Sequence, residues 1–134
     1  MSMQDEDLTR ILIVARIQLG RALVDVLVGG PFHAFRTPSA IDLIVACARI
    51  QPHLVIIALD LYGQDVVGAA LALKEAKRDL PIIMLGDPPA SELRSEFHWA
   101  PADVRPMEVR SVASTMLNIS RNGREPHRLP DGRP

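Results

Sequence analysis

The stretch Pro52-His53-Leu54-Val55-Ile56-Ile57-Ala58-Leu59-Asp60-Leu61-Tyr62-Gly63-Gln64-Asp65 decides how this chain folds. Leu54 to Ala58 is apolar without interruption, and its middle three residues are β-branched. A strand with one wet face alternates apolar and polar residues, whereas a continuous short run is a strand covered on both faces. Leu59 to Gln64 then reads as a loop. Asp65 has the side chain to cap a helix that runs to about Lys77.

The same grammar repeats on either side. Ile11-Leu12-Ile13-Val14 and Pro81-Ile82-Ile83-Met84-Leu85 read as two more buried strands, Phe32 to Thr37 as a plainer one, and Ala102-Asp103-Val104 as a weak fifth. Helical periodicity fills the gaps. Ile17 to Val28 turns Leu19, Leu23, Val26 and Leu27 inward and leaves Val24 and Val28 off the stripe, with Gly29-Gly30 suited to its left-handed cap. A helix opened by Pro38 and Ser39 and running to Ile50 turns Ile41, Ile44, Val45 and Ala48 inward. The helix after Asp65 does so with Ala69, Ala70, Leu73 and Ala76, and Met107 to Ile119 with Val109, Val112, Ala113 and Met116. Ala90 to Trp99 reads as a short helix or turn.

Five strands separated by helices must run parallel, and right-handed crossovers place helices on both faces of one sheet. The expected fold is α/β: a five-stranded parallel sheet in the order 2-1-3-4-5, a flavodoxin-like three-layer sandwich. In such a sheet ligands and reactions sit at the C-terminal strand ends, here after Val14, Ile57, Leu85 and Val104.

Composition bounds the rest. The 134 residues make one domain's worth of chain, 48% hydrophobic and 23% charged, with only 4% aromatic, so the core rests on aliphatic side chains. The net charge of −1 carries no nucleic-acid footprint. Cys47 is the single cysteine, so there is no internal disulfide, and its apolar helical surroundings make it a small core residue. No apolar run is long enough to span a membrane, and the acidic start Met1-Ser2-Met3-Gln4-Asp5-Glu6-Asp7 is unlike a signal peptide, so a cytoplasmic protein is expected. Residues 1–8 are expected to be flexible, 9–120 to fold, and 121–134 to be a disordered tail dotted with arginine. His33, His53, His98 and His127 lack partners at metal-ligand spacing, Asp25 and Asp42 read as solvated helix positions, and no Ser-His-Asp or Cys-His set presents itself. Neither catalysis nor a cofactor is expected.

From about Arg10 to Ser120 the order of strands and the loop with Gly63 and Asp65 resemble the receiver domain of bacterial response regulators. The resemblance implies a phosphorylation site, and this chain departs from it at nearly every position. The acidic pair that holds Mg²⁺ after the first strand matches Ala15 and Arg16. The aspartate that accepts the phosphoryl group matches Ala58. The Thr or Ser after the fourth strand matches Gly86, the Lys-Pro after the fifth matches Arg105-Pro106, and the aromatic switch residue matches Ala102. Tyr62 and Val66 replace the usual proline and second glycine of the loop. The resemblance further implies a cis Arg105–Pro106 peptide. Asp60, two residues beyond the acceptor position and so roughly 6–7 Å along an extended chain, cannot substitute without remodelling the loop, and Arg16 would repel the cation.

The expected function is a pseudo-receiver, a single-domain regulator in two-component phosphorelay signalling that binds a signalling protein or histidine kinase without being phosphorylated. Arg16 and Arg105 are expected to pair with Asp60 and Asp87 in place of the metal. Phe97, Trp99 and Met107 are candidates for the partner surface, and Val24 and Val28 for a homodimer contact. Two alternatives remain: a phospho-accepting receiver that uses Asp60 with Mg²⁺, and a flavodoxin-like module that binds a small anion through its arginines. No nucleic acid, membrane or small-molecule substrate is expected.

Overall fold

The computed structural model describes residues 9–28, 32–61 and 63–124. Strands β1 (Thr9–Val14), β2 (Phe32–Thr37), β3 (Leu54–Ala58), β4 (Ile82–Leu85) and β5 (His98–Ala100) alternate with helices α1 (Ile17–Val28), α2 (Leu43–Ile50), α3 (Val66–Ala76) and α4 (Pro106–Arg124), and a 3-10 turn (Ser91–Ser95) stands between β4 and β5. The sheet is parallel in the order β2-β1-β3-β4-β5, as the apolar runs require. Ile11 pairs with Leu54 and Ala58 with Leu85, so the central three strands end level with one another.

Alternation along each strand divides the interior into two layers. Ile11, Ile13, Leu54, Ile56, Ala58, Ile83 and Leu85 pack against Leu23 and Leu27 of α1 and Val109, Ala113 and Leu117 of α4. Leu12, Val14, Val55, Ile57, Ile82 and Met84 pack against Leu43 and Cys47 of α2 and Val66, Ala70 and Leu73 of α3. β3 is buried along its whole length. Asp65 caps α3, its carboxylate accepting from the Gly68 amide at 3.0 Å.

Several expectations need correction. The fifth strand is His98–Ala100, not Ala102–Val104, which lies in the loop before α4. There are no cis peptides among the described residues. Pro106 instead opens α4, where its missing N–H leaves no helical bond unmade. α2 begins at Leu43 because the preceding turn is held by side chains: Ser39 N–H donates to Thr37 Oγ1 and Ile41 N–H to Ser39 Oγ. Short hydroxyl side chains offer the backbone such alternatives to a helix. Ile41, Ile44, Val45 and Ala48 face outward, while Leu43 and Cys47 hold the core. Val24 packs against the first layer, so of these two valines only Val28 is exposed. Ala76 is exposed as well. α4 continues to Arg124, past the expected boundary at residue 120. The expectations for residues 1–8, the Gly29-Gly30 cap, Tyr62 and residues 125–134 lie outside the described residues. Among the described residues, no helix is long and apolar enough to cross a membrane.

Candidate functional site

The C-terminal ends of β3 and β4 converge on an open depression of about 250 Å³, with Ala58, Leu59, Asp60, Gly86, Asp87 and Ala102 among the residues lining it. Ala58 is 2% exposed, and its methyl group belongs to the α1–α4 layer. A methyl offers no oxygen to a phosphoryl group, so Ala58 itself cannot accept one.

Asp60 follows in the turn after β3. Its Oδ2 accepts from Arg16 Nε at 2.7 Å, which joins the loop after β1 to the loop after β3. Asp60 Oδ1 is buried with no hydrogen-bond partner. Ala15 is buried behind this pair, its amide donating to Thr37 O. Of the four groups expected to cluster, Arg16 and Asp60 meet. Asp87 and Arg105 are exposed, and neither makes an ion pair among the described residues. Arg105 stands at the N-terminal boundary of α4, where its carbonyl accepts from the Glu108 and Val109 amides, and it does not line the depression.

The distance follows from β5. The residue directly after the observed strand is Pro101. Arg105 stands five residues beyond Ala100, the last residue of the strand, and Ala102 two residues beyond it, so neither directly follows β5.

Gly86 is built into the site by geometry. Its φ is +139°, and a Cβ there would stand 2.8 Å from Leu59 Cδ1 and 3.1 Å from Leu59 Cβ. Its amide donates to Ala100 O at 2.8 Å, while Leu59 N–H donates to Leu85 O at 3.0 Å, so both loops are fixed to the sheet. A hydroxyl-bearing residue does not fit that backbone.

A hard cation does not fit this donor set. It needs several oxygen ligands. Alanine and a guanidinium occupy the two positions after β1, the guanidinium already holds one oxygen of Asp60, and among the described residues no three His, Cys, Asp or Glu side chains cluster. A second, wider depression of about 690 Å³ lies on the other side of the ion pair, with Arg16, Arg21, Pro38 and Gln64 in its wall.

Two residues important to the site carried no sequence signal. Leu59 is one, through its contact over Gly86. Gln64 is the other: its Oε1 accepts from the Ala40 amide at 2.6 Å and its Nε2 donates to Pro38 O at 3.2 Å, which ties the loop before α2 to the loop after β3. An isolated glutamine in a loop gives no pattern from which such a clamp could be read.

The expected partner residues separate. Phe97 is buried in the α2–α3 layer with Lys74 Nζ 5.9 Å from its ring centre. Trp99 is half-buried beside it at 6.0 Å, edge to face, and its indole N–H donates to Leu93 O at 2.9 Å. Trp99 thus closes the core where a 3-10 turn replaces a full helix. Met107 alone of the three is well exposed.

The sequence matches no protein-family model and no curated protein. Solved structures match its fold. The chain is similar to the signal receiver domain of an HD-domain-containing protein from Pseudomonas fluorescens, with a TM-score of 0.75 at 18% identity over 89% of this chain and 93% of that one. It is similar to a CheY-like response regulator receiver domain protein from Methanospirillum hungatei, with a TM-score of 0.77 at 14% identity over 87% of this chain and 98% of that one. It is also similar to NtrX from Brucella abortus, with a TM-score of 0.76 at 18% identity over 91% of this chain, which spans only 29% of the NtrX chain. The chain therefore has the CheY-like receiver fold.

Proposed function

With the receiver fold as premise, we propose that this chain is a pseudo-receiver of two-component signalling, one that binds a protein partner in a single conformation and accepts no phosphate. The observation that carries this reading is the Arg16–Asp60 ion pair. Aspartyl phosphorylation requires a free carboxylate, a metal to neutralise developing charge, and a basic or hydroxyl group on the transferred oxygens. Here the carboxylate nearest the acceptor position is held by an arginine that stands where a metal ligand would be needed. Ala58 and Gly86 remove the remaining groups, and the packing of Leu59 over Gly86 supports the view that the loss is built into the backbone.

The same ion pair suggests how a fixed state is kept. A receiver that responds to phosphate has loops free to rearrange, whereas Arg16–Asp60 and the Gln64 clamp join three of these loops with direct side-chain bonds. A partner would then meet a surface that is always presented and is regulated by abundance or competition.

A beryllofluoride titration with Mg²⁺, read by the fluorescence of Trp99 and by amide NMR shifts at Asp60 and Gly86, tests the reading. Trp99 is the chain's single tryptophan. No saturable Mg²⁺-dependent change is expected. A saturable change that Asp60→Asn abolishes would overturn the proposal in favour of a receiver that uses Asp60.

A further inference from the structure

We infer that the outward face of α2 is the contact between two copies of this chain, paired antiparallel about a two-fold axis. Arg49 is the single polar residue of this helix, Leu43-Ile44-Val45-Ala46-Cys47-Ala48-Arg49-Ile50. Leu43 and Cys47 are spent on the core. The opposite side presents Ile44 at 46% and Val45 at 55% exposure, Ala48 in the next turn, and Ile41 at 78% just before the helix. Positions 41, 44, 45 and 48 are spaced as the seam of a helix pair. A helix that is apolar all round is ordinarily covered all round, and this one has a bare side.

What covers it follows from the order of residues along the stripe. When α2 lies antiparallel on a copy of itself, Ile41 faces Ala48 of the other copy and Ile44 faces Val45. A long side chain then meets a short one at each end, with two β-branched side chains matched at the centre. The charges agree. Asp42 adjoins Ile41, and Arg49 adjoins Ala48, seven positions or two turns further on and therefore on the same flank. Both are exposed, and neither makes an ion pair among the described residues. The two-fold axis sets Asp42 of each copy beside Arg49 of the other, giving two complementary pairs, whereas a parallel pairing would set like charges together. A shallow groove of about 160 Å³, in which Ala69 and Ala72 of α3 meet Ile41 and Ile44, lets the second helix settle close. The proposal does not depend on whether the chain accepts phosphate.

Sedimentation velocity of the full chain over a concentration series tests this. The wild type is expected to self-associate, and Val45→Glu to remain a monomer with an unchanged circular dichroism spectrum. Asp42→Arg and Arg49→Asp each place like charges at both pairs and should weaken the dimer by about tenfold. Mixed together, these two variants should form a heterodimer, because each supplies the charge the other lacks, and the double variant Asp42→Arg/Arg49→Asp should self-associate again. A wild type that stays monomeric at its highest soluble concentration, as expected if this face takes a different protein, overturns the inference. So does a mixture that associates no more tightly than either variant alone, or a dimer that survives Val45→Glu.

Discussion

Leu59 lies across Gly86 so closely that its Cδ1 is 2.8 Å, and its own Cβ 3.1 Å, from where a Cβ on Gly86 would stand. The far methyl of Leu59 can rotate away, but its Cβ is fixed by a backbone hydrogen-bonded to β4. The positive φ of Gly86 remains whatever Leu59 does. Gly86→Thr, which introduces the hydroxyl that the resemblance implies at this position, is therefore expected to destabilise the fold by roughly 1–3 kcal/mol. Leu59→Ala should recover only part of the loss, because the strained dihedral persists. Urea unfolding midpoints at constant m report both values, and a Gly86→Thr protein as stable as the wild type would refute the steric account.

Arg16 and Asp60 do not contribute symmetrically. Removing the guanidinium with Arg16→Ala leaves a carboxylate whose Oδ1 is already buried without a partner, and both side chains are partly exposed, at 49% and 38%. A screened pair of this kind is worth about 1 kcal/mol or less, so Arg16→Ala should cost about that much. Asp60→Asn removes a charge that is only half satisfied and keeps an oxygen for Arg16. It should be neutral to within about 0.5 kcal/mol. Chemical denaturation of the two variants decides the matter. Equal losses would mean that the orphaned oxygen of Asp60 is satisfied in solution.

The central strands were legible because burial on both faces leaves only one kind of sequence, a continuous apolar run, as in Leu54–Ala58. β5 was not. It is three residues long, with His98 exposed and Trp99 half-buried, and so carries neither continuity nor alternation. The Ala102-Asp103-Val104 run, read as the strand, starts four residues beyond the observed start at His98 and lies in the loop before α4. α2 failed for a different reason. Periodicity chooses a face only when the other face is polar, and Ile44, Val45 and Ala48 match Leu43 and Cys47 in character. The absence of an acceptor at Ala58 could be read directly, whereas the lock that Leu59 sets on Gly86 depends on a dihedral that no residue pattern encodes.

Gln64 gives a local test of how the site loops are held. Its side chain satisfies the Ala40 amide and the Pro38 carbonyl together, and Ala40 is itself buried. Gln64→Ala leaves that amide without a partner, at a cost of about 1–2 kcal/mol. Hydrogen exchange at Ala40 and Ile41 should accelerate more than exchange in β3, because the loop opens without the sheet. Gln64→Glu keeps the acceptor for Ala40 but not the donor for Pro38, and should fall between the two. Uniform acceleration across the molecule would instead mean that Gln64 acts on global stability alone.

Cys47 makes α2 sensitive to alkaline pH. Burial pushes its thiol above the ordinary value of 9.0, against a smaller downward pull from Lys77. The folded chain thus holds the thiol proton more tightly than the unfolded chain does. Below about pH 9 both states are protonated and the thiol adds no pH dependence. As pH rises past the unfolded value, only the unfolded state loses its proton, so stability declines by at most about 1.4 kcal/mol per pH unit until the folded thiol also ionises. Cys47→Ala should be less stable at neutral pH by about 1–2 kcal/mol, for the atoms removed from the core, yet flatter in its stability above pH 9. The difference between the two pH curves isolates the thiol from every group the two proteins share. A thiol reagent at neutral pH should modify the folded wild type only as fast as α2 opens, with the rate rising in parallel with urea-induced unfolding. Parallel pH curves for the two proteins, or rapid modification of the native chain, would show that Cys47 is not sealed between α2 and the sheet.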